Sequence, residues 1–214
     1  PLNLLAVNGA FQRLIARHAS LRSSFAADAE SQVYQSAPET FEIPIDDFSG
    51  DTELQRQARV IAASEAEMRT PFDLTNGPLL RLRLVRVAAE EHLLIFTAHH
   101  LVCDGWSFGM LMAELSALYN ALVAGQEAVL PPAMPFFEYA AKLAARRGGP
   151  DLQAAEDYWV KQFEGGAPSL ELPLDRPRPV VRSFAGAMES RCLSGERFER
   201  LKQAAGPMGG TIFG

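Results

Sequence analysis

The chain has 214 residues, of which 48% are hydrophobic and 21% are charged, a composition that suits a folded globular protein and excludes a disordered one. Its 20 basic and 26 acidic side chains leave a formal net charge of −6, which argues against nucleic acid as a partner. No run of about 18 apolar residues is present and no basic segment opens the sequence, so we expect no membrane span and a cytoplasmic protein.

The predicted elements alternate between helix and strand. An amphipathic pattern predicts a helix over residues 4–17, and short extended segments follow at 32–35 and 41–45. A second helical stripe covers residues 52–69 and ends at Thr70-Pro71, because proline has no backbone donor. Leucines alternating with arginines from residue 80, a polar turn at 88–91 and an apolar run at 92–98 then predict a β-hairpin.

The second half of the chain begins with a loop and a long helix. The segment His99-His100-Leu101-Val102-Cys103-Asp104-Gly105-Trp106-Ser107 precedes apolar residues at intervals of three and four, which predicts a helix with Ser107 as its N-cap. Further predicted elements are helical stretches between 139 and 163, a proline-stiffened segment at 172–179, a strand at 187–193, and a helix from Ser194 to about residue 205. Mixed helices and strands indicate an α/β or α+β fold.

The adjacent histidines at the end of the predicted hairpin are candidates for chemistry. Because side chains alternate along a strand, we expect His99 and His100 to face opposite sides, one toward the support and one toward an opening. This arrangement disfavours a metal ion shared with Cys103 and Asp104, and no other His/Cys cluster completes a site, so we expect no metal. The two cysteines, Cys103 and Cys192, allow at most one disulfide.

Asp104 and Gly105 stand at the start of the predicted long helix. A carboxylate at this position can accept backbone N–H groups, stabilise the positive end of the helix dipole or pair with a cation. Glycine permits a sharp turn and a close approach of the backbone to a ligand. An ordinary loop before a capped helix explains the same residues.

Residues 99–107 resemble the HHxxxDG motif, extended to HHxxxDGWS, of condensation domains from nonribosomal peptide synthetases. Other segments resemble further motifs of this family in the same order. They are Arg17-His18-Ala19-Ser20-Leu21-Arg22-Ser23-Ser24-Phe25 (RHxxLRTxF, with serine for threonine), Pro71-Phe72-Asp73-Leu74 with Gly77-Pro78-Leu79-Leu80-Arg81, Phe137-Glu138-Tyr139-Ala140 (YxxYA), and Tyr158-Trp159 through Leu172-Pro173 to Asp175-Arg176-Pro177-Arg178-Pro179.

The resemblance implies a fold and a domain organisation. Members of the family resemble chloramphenicol acetyltransferase, and two such lobes form a V around a tunnel that holds the active site. The implied fold is an α/β (α+β) two-layer sandwich with a mixed sheet flanked by helices. Residues 1–178 would form the N-terminal lobe, and residues 179–214 would form a crossing segment and the start of the C-terminal lobe. The complete site would therefore need more than this chain.

The resemblance also implies amide-bond formation. An acyl or peptidyl thioester on the phosphopantetheine arm of a donor carrier protein is attacked by the α-amino group of an aminoacyl thioester on an acceptor carrier protein. Both carrier proteins and adjacent synthetase domains are the implied partners, and no cofactor is bound directly. An imidazole that titrates near neutral pH can take the proton of the amine or hold the amine in place. The resemblance assigns this task to His100.

The remaining site residues have supporting roles in this interpretation. Asp104 is expected to fix the loop through a salt bridge with Arg22, with Arg81 and Arg83 as alternative partners. Gly105 is expected to keep the tunnel open.

Three further residues complete the predicted site. His99 is expected to support the loop, and Trp106 and Ser107 are expected to set the start of the helix.

Several alternatives remain open. Cys103 could be a thiol nucleophile activated by a histidine, although nothing near it in the sequence supplies an orienting third group. Another HxxxD acyltransferase or an epimerisation domain would share the motif, but Trp106-Ser107 followed by Phe108-Gly109-Met110 resembles the condensation branch. Heterocyclising relatives carry aspartate in place of the histidines. A non-catalytic module that docks carrier proteins or recruits a tailoring enzyme is an alternative of a different class.

Overall fold

The computed structural model describes residues 1–28, 30–181, 183 and 189–211. The chain divides into two compact units, Pro1–Trp159 and Val160–Gly214. The predicted lobe boundary between residues 178 and 179 stays a prediction. Among the described helices, none has the length and apolar character required to cross a bilayer.

The first unit alternates helices and strands, as the sequence predicts. Its elements are α1 (Leu4–Arg17), a short 3₁₀ helix (Ala19–Arg22), β1 (Ser23–Phe25), β2 (Gln32–Tyr34), β3 (Ile45–Asp47), α2 (Glu53–Arg69), β4 (Leu80–Arg86), β5 (His92–Ala98), α3 (Gly105–Val123), α4 (Phe136–Ala145) and α5 (Pro150–Gln162), whose last residues belong to the second unit.

Local capping explains where the first two long helices begin. The side chain of Asn3 accepts a hydrogen bond from the backbone of Ala6, which satisfies one of the free N–H groups at the start of α1. At α2, Thr52 and Gln55 form a reciprocal capping box. The predicted helices at 4–17 and 52–69 are confirmed, the second with Thr52 as its cap.

A three-stranded mixed sheet forms the centre of this unit. The strand order is β3-β4-β5, with β3 parallel to β4 and β4 antiparallel to β5. The hairpin register pairs Leu80 with Ala98 and Arg86 with His92, so the predicted hairpin is confirmed. β1 and β2 form a separate antiparallel pair.

The two faces of β4 have different neighbours. Leu80, Leu82 and Leu84 are buried in the main hydrophobic core with residues of α1 and α3. Arg81 and Arg83 point to the opposite face, where both bind a carboxylate of α2. Helices therefore cover both faces, and the predicted α/β architecture of a mixed sheet flanked by helices is confirmed.

The second unit contains one described α-helix, α6 (Gly195–Ala205), followed by a short 3₁₀ helix (Gly206–Met208). The hydroxyl of Ser194 accepts a hydrogen bond from the backbone of Arg197, so the predicted cap is confirmed. The strand predicted at 187–193 is not found at 189–193, and residues 187 and 188 lie outside the described residues.

Candidate active site

A β-turn directly after β5 presents the two adjacent histidines. The backbone N–H of His99 donates to the carbonyl of Leu79 at 2.9 Å, which extends the β4–β5 pairing by one residue. The N–H of Val102 donates to the carbonyl of His99 at 3.0 Å and closes a turn with His100 and Leu101 at its corners. His100 is exposed and His99 is half-buried.

The ring of His99 is fixed on two sides. Its Nδ1 accepts a hydrogen bond from the backbone N–H of Leu101 at 3.2 Å. Its ring packs edge-to-face against Phe72, with centroids 5.8 Å apart and an interplanar angle of 87°. These are the contacts of a supporting residue. Because the turn begins directly after His99, strand alternation alone does not separate the two rings.

Asp104 is the N-cap of α3, a role that the sequence analysis gave to Ser107. A side-chain oxygen of Asp104 accepts from the backbone N–H of Ser107 at 2.8 Å and from its hydroxyl at 2.7 Å. Both hydrogen bonds, and then the nearby His100, hold the pKa of Asp104 below its usual range. The prediction of Ser107 as the cap is wrong because a cap at Ser107 would start the helix at Phe108, whereas the helix begins at Gly105.

The predicted salt bridge between Asp104 and Arg22 does not form. Within the described part of the chain, no ion pair involves Asp104, whose exposed carboxylate binds the start of its own helix instead. The guanidinium of Arg22 donates to the carbonyl of Gln35. Its buried Nε has no hydrogen-bond partner among the described residues. Arg22 also lines a cavity of about 470 Å³ with Gln35 and Asn76.

The two alternative partners of Asp104 bind other acids. Arg81 donates from Nε to Glu67 at 3.0 Å. Arg83 donates to Glu67 at 3.2 Å and to Asp46 at 2.8 Å. Burial of Glu67 raises its pKa, but the hydrogen bonds from the two arginines outweigh burial and hold the pKa below the usual range. These pairs leave neither arginine for Asp104.

Gly105 and Trp106 differ from expectation in their surroundings. Gly105 is the first residue of α3 and does not have the positive φ that favours glycine, so the backbone does not use the sharp turn that glycine permits, and its expected role in keeping a tunnel open stays a prediction. Apart from Gly105 itself, its two chain neighbours and the backbone of its own helix, no described atom lies within 4 Å of a Cβ placed there. Trp106 is 89% exposed, so its side chain does not fix the helix start by packing.

Cys103 is half-buried beside the turn. Burial, and to a lesser extent the Asp104 carboxylate, raises the pKa of the Cys103 thiol. A nucleophilic cysteine needs the opposite shift, since the thiolate is the reactive form. The described residues contain no group of three or more His, Cys, Asp or Glu side chains placed to hold a metal ion.

The condensation-domain family model matches residues 1–212. The chain belongs to the condensation-domain family. Malpibaldin synthetase of Mortierella alpina is 36% identical over 215 residues, covering 99% of this chain and 4% of the relative. Phosphinothricin tripeptide synthetase PhsC of Streptomyces viridochromogenes is 33% identical over 216 residues, covering 100% of this chain and 20% of the relative.

Solved structures share the fold of this condensation-domain chain. The cyclization-docking bidomain of EpoB from Sorangium cellulosum superposes with a TM-score of 0.79 at 23% identity, covering 99% of this chain and 42% of that one. The X-domain from teicoplanin biosynthesis gives a TM-score of 0.73 at 26% identity, covering 99% and 47%. This chain thus spans less than half of each of these structures and far less of the two synthetases above.

Sequence reasoning missed two groups of residues in this condensation-domain unit. Phe72 contacts the ring of His99, and Glu67 binds Arg81. The alternation of arginines with leucines in β4 was a signal that an acid must face the arginines. Another acid, Glu114, binds Nε2 of His18 at 2.6 Å and Nε of Arg17 at 3.0 Å, and thereby joins the end of α1 to α3. Arg17 and His18 open the RHxxLR segment, so their contact with Glu114 of α3 gives that segment a structural role.

Proposed function

We propose that the protein carrying this chain forms peptide bonds in nonribosomal peptide synthesis. The donor is an acyl or peptidyl thioester and the acceptor is the α-amine of an aminoacyl thioester, each on the phosphopantetheine arm of a carrier protein. The observation that carries the proposal is the exposed imidazole of His100 at the corner of a turn, beside the N-cap carboxylate of Asp104. The family membership of the chain supports the same reaction.

The chemistry needs one proton acceptor near the amine. The amine nitrogen attacks the thioester carbonyl carbon, and a tetrahedral intermediate forms. The nitrogen then loses a proton, the carbon–sulfur bond breaks, and the products are an amide and a free thiol. His100 takes the proton or holds the amine in line, and the carboxylate of Asp104 attracts the positive charge that develops on the imidazole.

The leaving group of the proposed reaction is the thiolate of the donor's phosphopantetheine arm. A thiolate leaves a tetrahedral intermediate readily, so the protein supplies no strong acid for it.

Cys103 and Cys192 are both free thiols, as suits a reducing compartment. We place the reaction in the cytoplasm, with donor and acceptor carrier proteins and adjacent synthetase domains as partners.

The test is product formation by the full-length protein with loaded donor and acceptor carrier proteins, measured by mass spectrometry of the acceptor arm. We expect His100→Ala to lower the rate by about 100-fold or more. His92→Ala is the matched control, because His92 lies at the far end of β5 and the same atoms are removed. Unchanged turnover in His100→Ala would contradict the proposal.

A docking module is the second candidate function. One solved structure with this fold is the complex of the X-domain and OxyB from teicoplanin biosynthesis, with a TM-score of 0.74 at 25% identity, covering 99% of this chain and 46% of that one. The same assay separates the two functions. Binding of carrier proteins or a tailoring enzyme without any new amide bond favours docking, and inversion of the α-carbon without a new amide favours epimerisation.

A further inference from the structure

We propose that Arg81 and Phe72 are positioning residues for the turn that carries His100. The inference rests on the proposed function, because it explains how that imidazole is held ready for the thioester substrates. Neither residue lies in the turn itself. Arg81 covers the ring of Phe72, and Phe72 in turn contacts the ring of His99 at the start of the turn.

Arg81 joins the end of α2 to the sheet. Its Nη2 donates to the carbonyls of Glu67 and Thr70, both at 2.8 Å, and its Nη1 donates to the carbonyl of Pro71 at 3.4 Å. Carbonyls at the end of a helix have no partner within the helix, so a guanidinium at this place satisfies them. Its Nε binds the carboxylate of Glu67. Hydrogen bonds to three backbone carbonyls and one carboxylate therefore fix the position of the guanidinium.

The flat face of this guanidinium covers Phe72. The Cζ atom of Arg81 lies 3.9 Å from the centroid of the Phe72 ring, a cation–π contact. The same ring meets His99 edge-to-face. Phe72 is thus held between a fixed cation and the imidazole, and its position determines how the ring of His99 is rotated.

The rotation of His99 determines the geometry of the turn. Nδ1 of His99 accepts the N–H of Leu101 only when Nδ1 is unprotonated and points toward the turn, which places the ring proton on Nε2. Leu101 is one corner of the turn and His100 is the other. A rotated or displaced His99 ring loses this hydrogen bond, and the direction of His100 is then no longer fixed.

The first experiment replaces His99 by two amides in the full-length protein. Oδ1 of asparagine occupies the place of Nδ1, and Oε1 of glutamine lies one bond further from the backbone. We expect His99→Gln to lower kcat about tenfold or more and His99→Asn to lower it less, because both lose the ring that Phe72 contacts but only asparagine keeps the hydrogen bond to the N–H of Leu101. Equal kcat values in the two variants would overturn the role of the Nδ1 hydrogen bond.

The second experiment compares Arg81→Met with Arg83→Met. Both substitutions remove one hydrogen bond to the carboxylate of Glu67, but only Arg81 covers Phe72. We expect kcat to fall about tenfold in Arg81→Met with KM for both carrier-bound substrates nearly unchanged, and kcat to stay near the parent value in Arg83→Met. Phe72→Leu keeps apolar volume and the α2 contacts of Arg81, so it serves if Arg81→Met does not fold.

Hydrogen exchange measured by mass spectrometry supplies a readout that is independent of turnover. The amide of Leu101 should exchange faster in Arg81→Met and Phe72→Leu than in Arg83→Met or the parent protein. Unchanged exchange and kcat in both variants, with His100→Ala inactive, would overturn the positioning role alone. Full turnover in His100→Ala would overturn the proposed function, whatever the exchange of Leu101 shows.

Discussion

Cys103 lies next to the proposed site, but its surroundings disfavour the reactive thiolate form. The thiol is half-buried, and Sγ lies 3.6 Å from the carbonyl oxygen of Asp104. Burial and the Asp104 charge raise its pKa, so the fraction present as thiolate at neutral pH falls below that of an ordinary cysteine. Its place between the histidines and the cap is a consequence of loop geometry.

We therefore expect Cys103→Ala to retain peptide-bond formation within about twofold, since general-base chemistry at His100 does not use the thiol. Iodoacetamide should modify the exposed Cys192 before Cys103, which gives an internal comparison in one digest read by mass spectrometry. Loss of product in Cys103→Ala, or faster alkylation of Cys103, would support a thiol nucleophile instead.

Asp104 shows what residue types reveal and what they leave open. The sequence placed this carboxylate at the mouth of a helix, where capping and pairing with a cation were both possible. The choice between them depends on how near Arg22 comes to Asp104, and the sequence does not supply that distance because the two residues lie far apart along the chain. Arg22 donates to Gln35 instead, and Asp104 caps α3. Capping is a local interaction, so the sequence indicated a capped helix after this loop, although it assigned the cap to Ser107 instead of Asp104.

At the scale of elements, Glu114 forms a cluster with Arg17 and His18 that joins the end of α1 to α3. Glu114 is 12% exposed, and Arg17 also donates to the carbonyl of Pro131. Burial raises the pKa of Glu114, but the hydrogen bonds from Arg17 and His18 outweigh it, and the pKa lies below the usual range. Glu114 thus joins α3, the helix that Asp104 caps, to the end of α1.

We expect Glu114→Gln to destabilise the α1–α3 contact by about 1–3 kcal/mol, because it weakens charge-assisted hydrogen bonds and leaves donors without a charged partner. The measurement is the urea dependence of hydrogen exchange in α1 and α3. Glu65→Gln is the control, since its pair with Arg69 is exposed and should matter little. Similar effects from the two substitutions would contradict the role of the cluster.

The elements that sequence predicted well are those with local causes. The helices at 4–17 and 52–69 and the hairpin follow from periodicity, a terminating proline and a polar turn within about 20 residues of each other. No strand is found at the described residues 189–193 of the one predicted at 187–193, and the neighbour that a strand needs is not supplied by sequence spacing. The Glu114 cluster was missed for a similar reason, since its partners lie 96 and 97 residues away.

At the scale of the whole molecule, several carboxylates share a lowered pKa. Hydrogen bonds from arginines and a histidine lower the pKa of Glu67 and Glu114 against the effect of burial, and hydrogen bonds from Ser107 lower the pKa of Asp104. A carboxyl whose pKa is lower in the folded state than in the unfolded chain stabilises the fold above the unfolded pKa. That stability is lost as the pH falls through the folded pKa.

The thermal midpoint should therefore be constant near neutral pH and fall once the pH drops below the ordinary carboxyl range of about 4. We expect the double variant Glu67→Gln, Glu114→Gln to have a lower midpoint at pH 7 and a shallower decline in acid. Calorimetry of the parent protein and the variant from pH 7 to pH 3 is the measurement. Parallel curves would show that these two acids do not carry the acid sensitivity.

The alternation along β4 separates two kinds of change that selection or engineering can make. Leu80, Leu82 and Leu84 fill the interior, whereas Arg81 and Arg83 bind Glu67 on the opposite face, and of these two only Arg81 also covers Phe72. In the proposed positioning role, variants at Arg81 would change the turn at constant interior volume, whereas variants at Arg83 would not. Selection or engineering can thus act on the proposed site from one face of this strand without disturbing the side-chain packing on its other face.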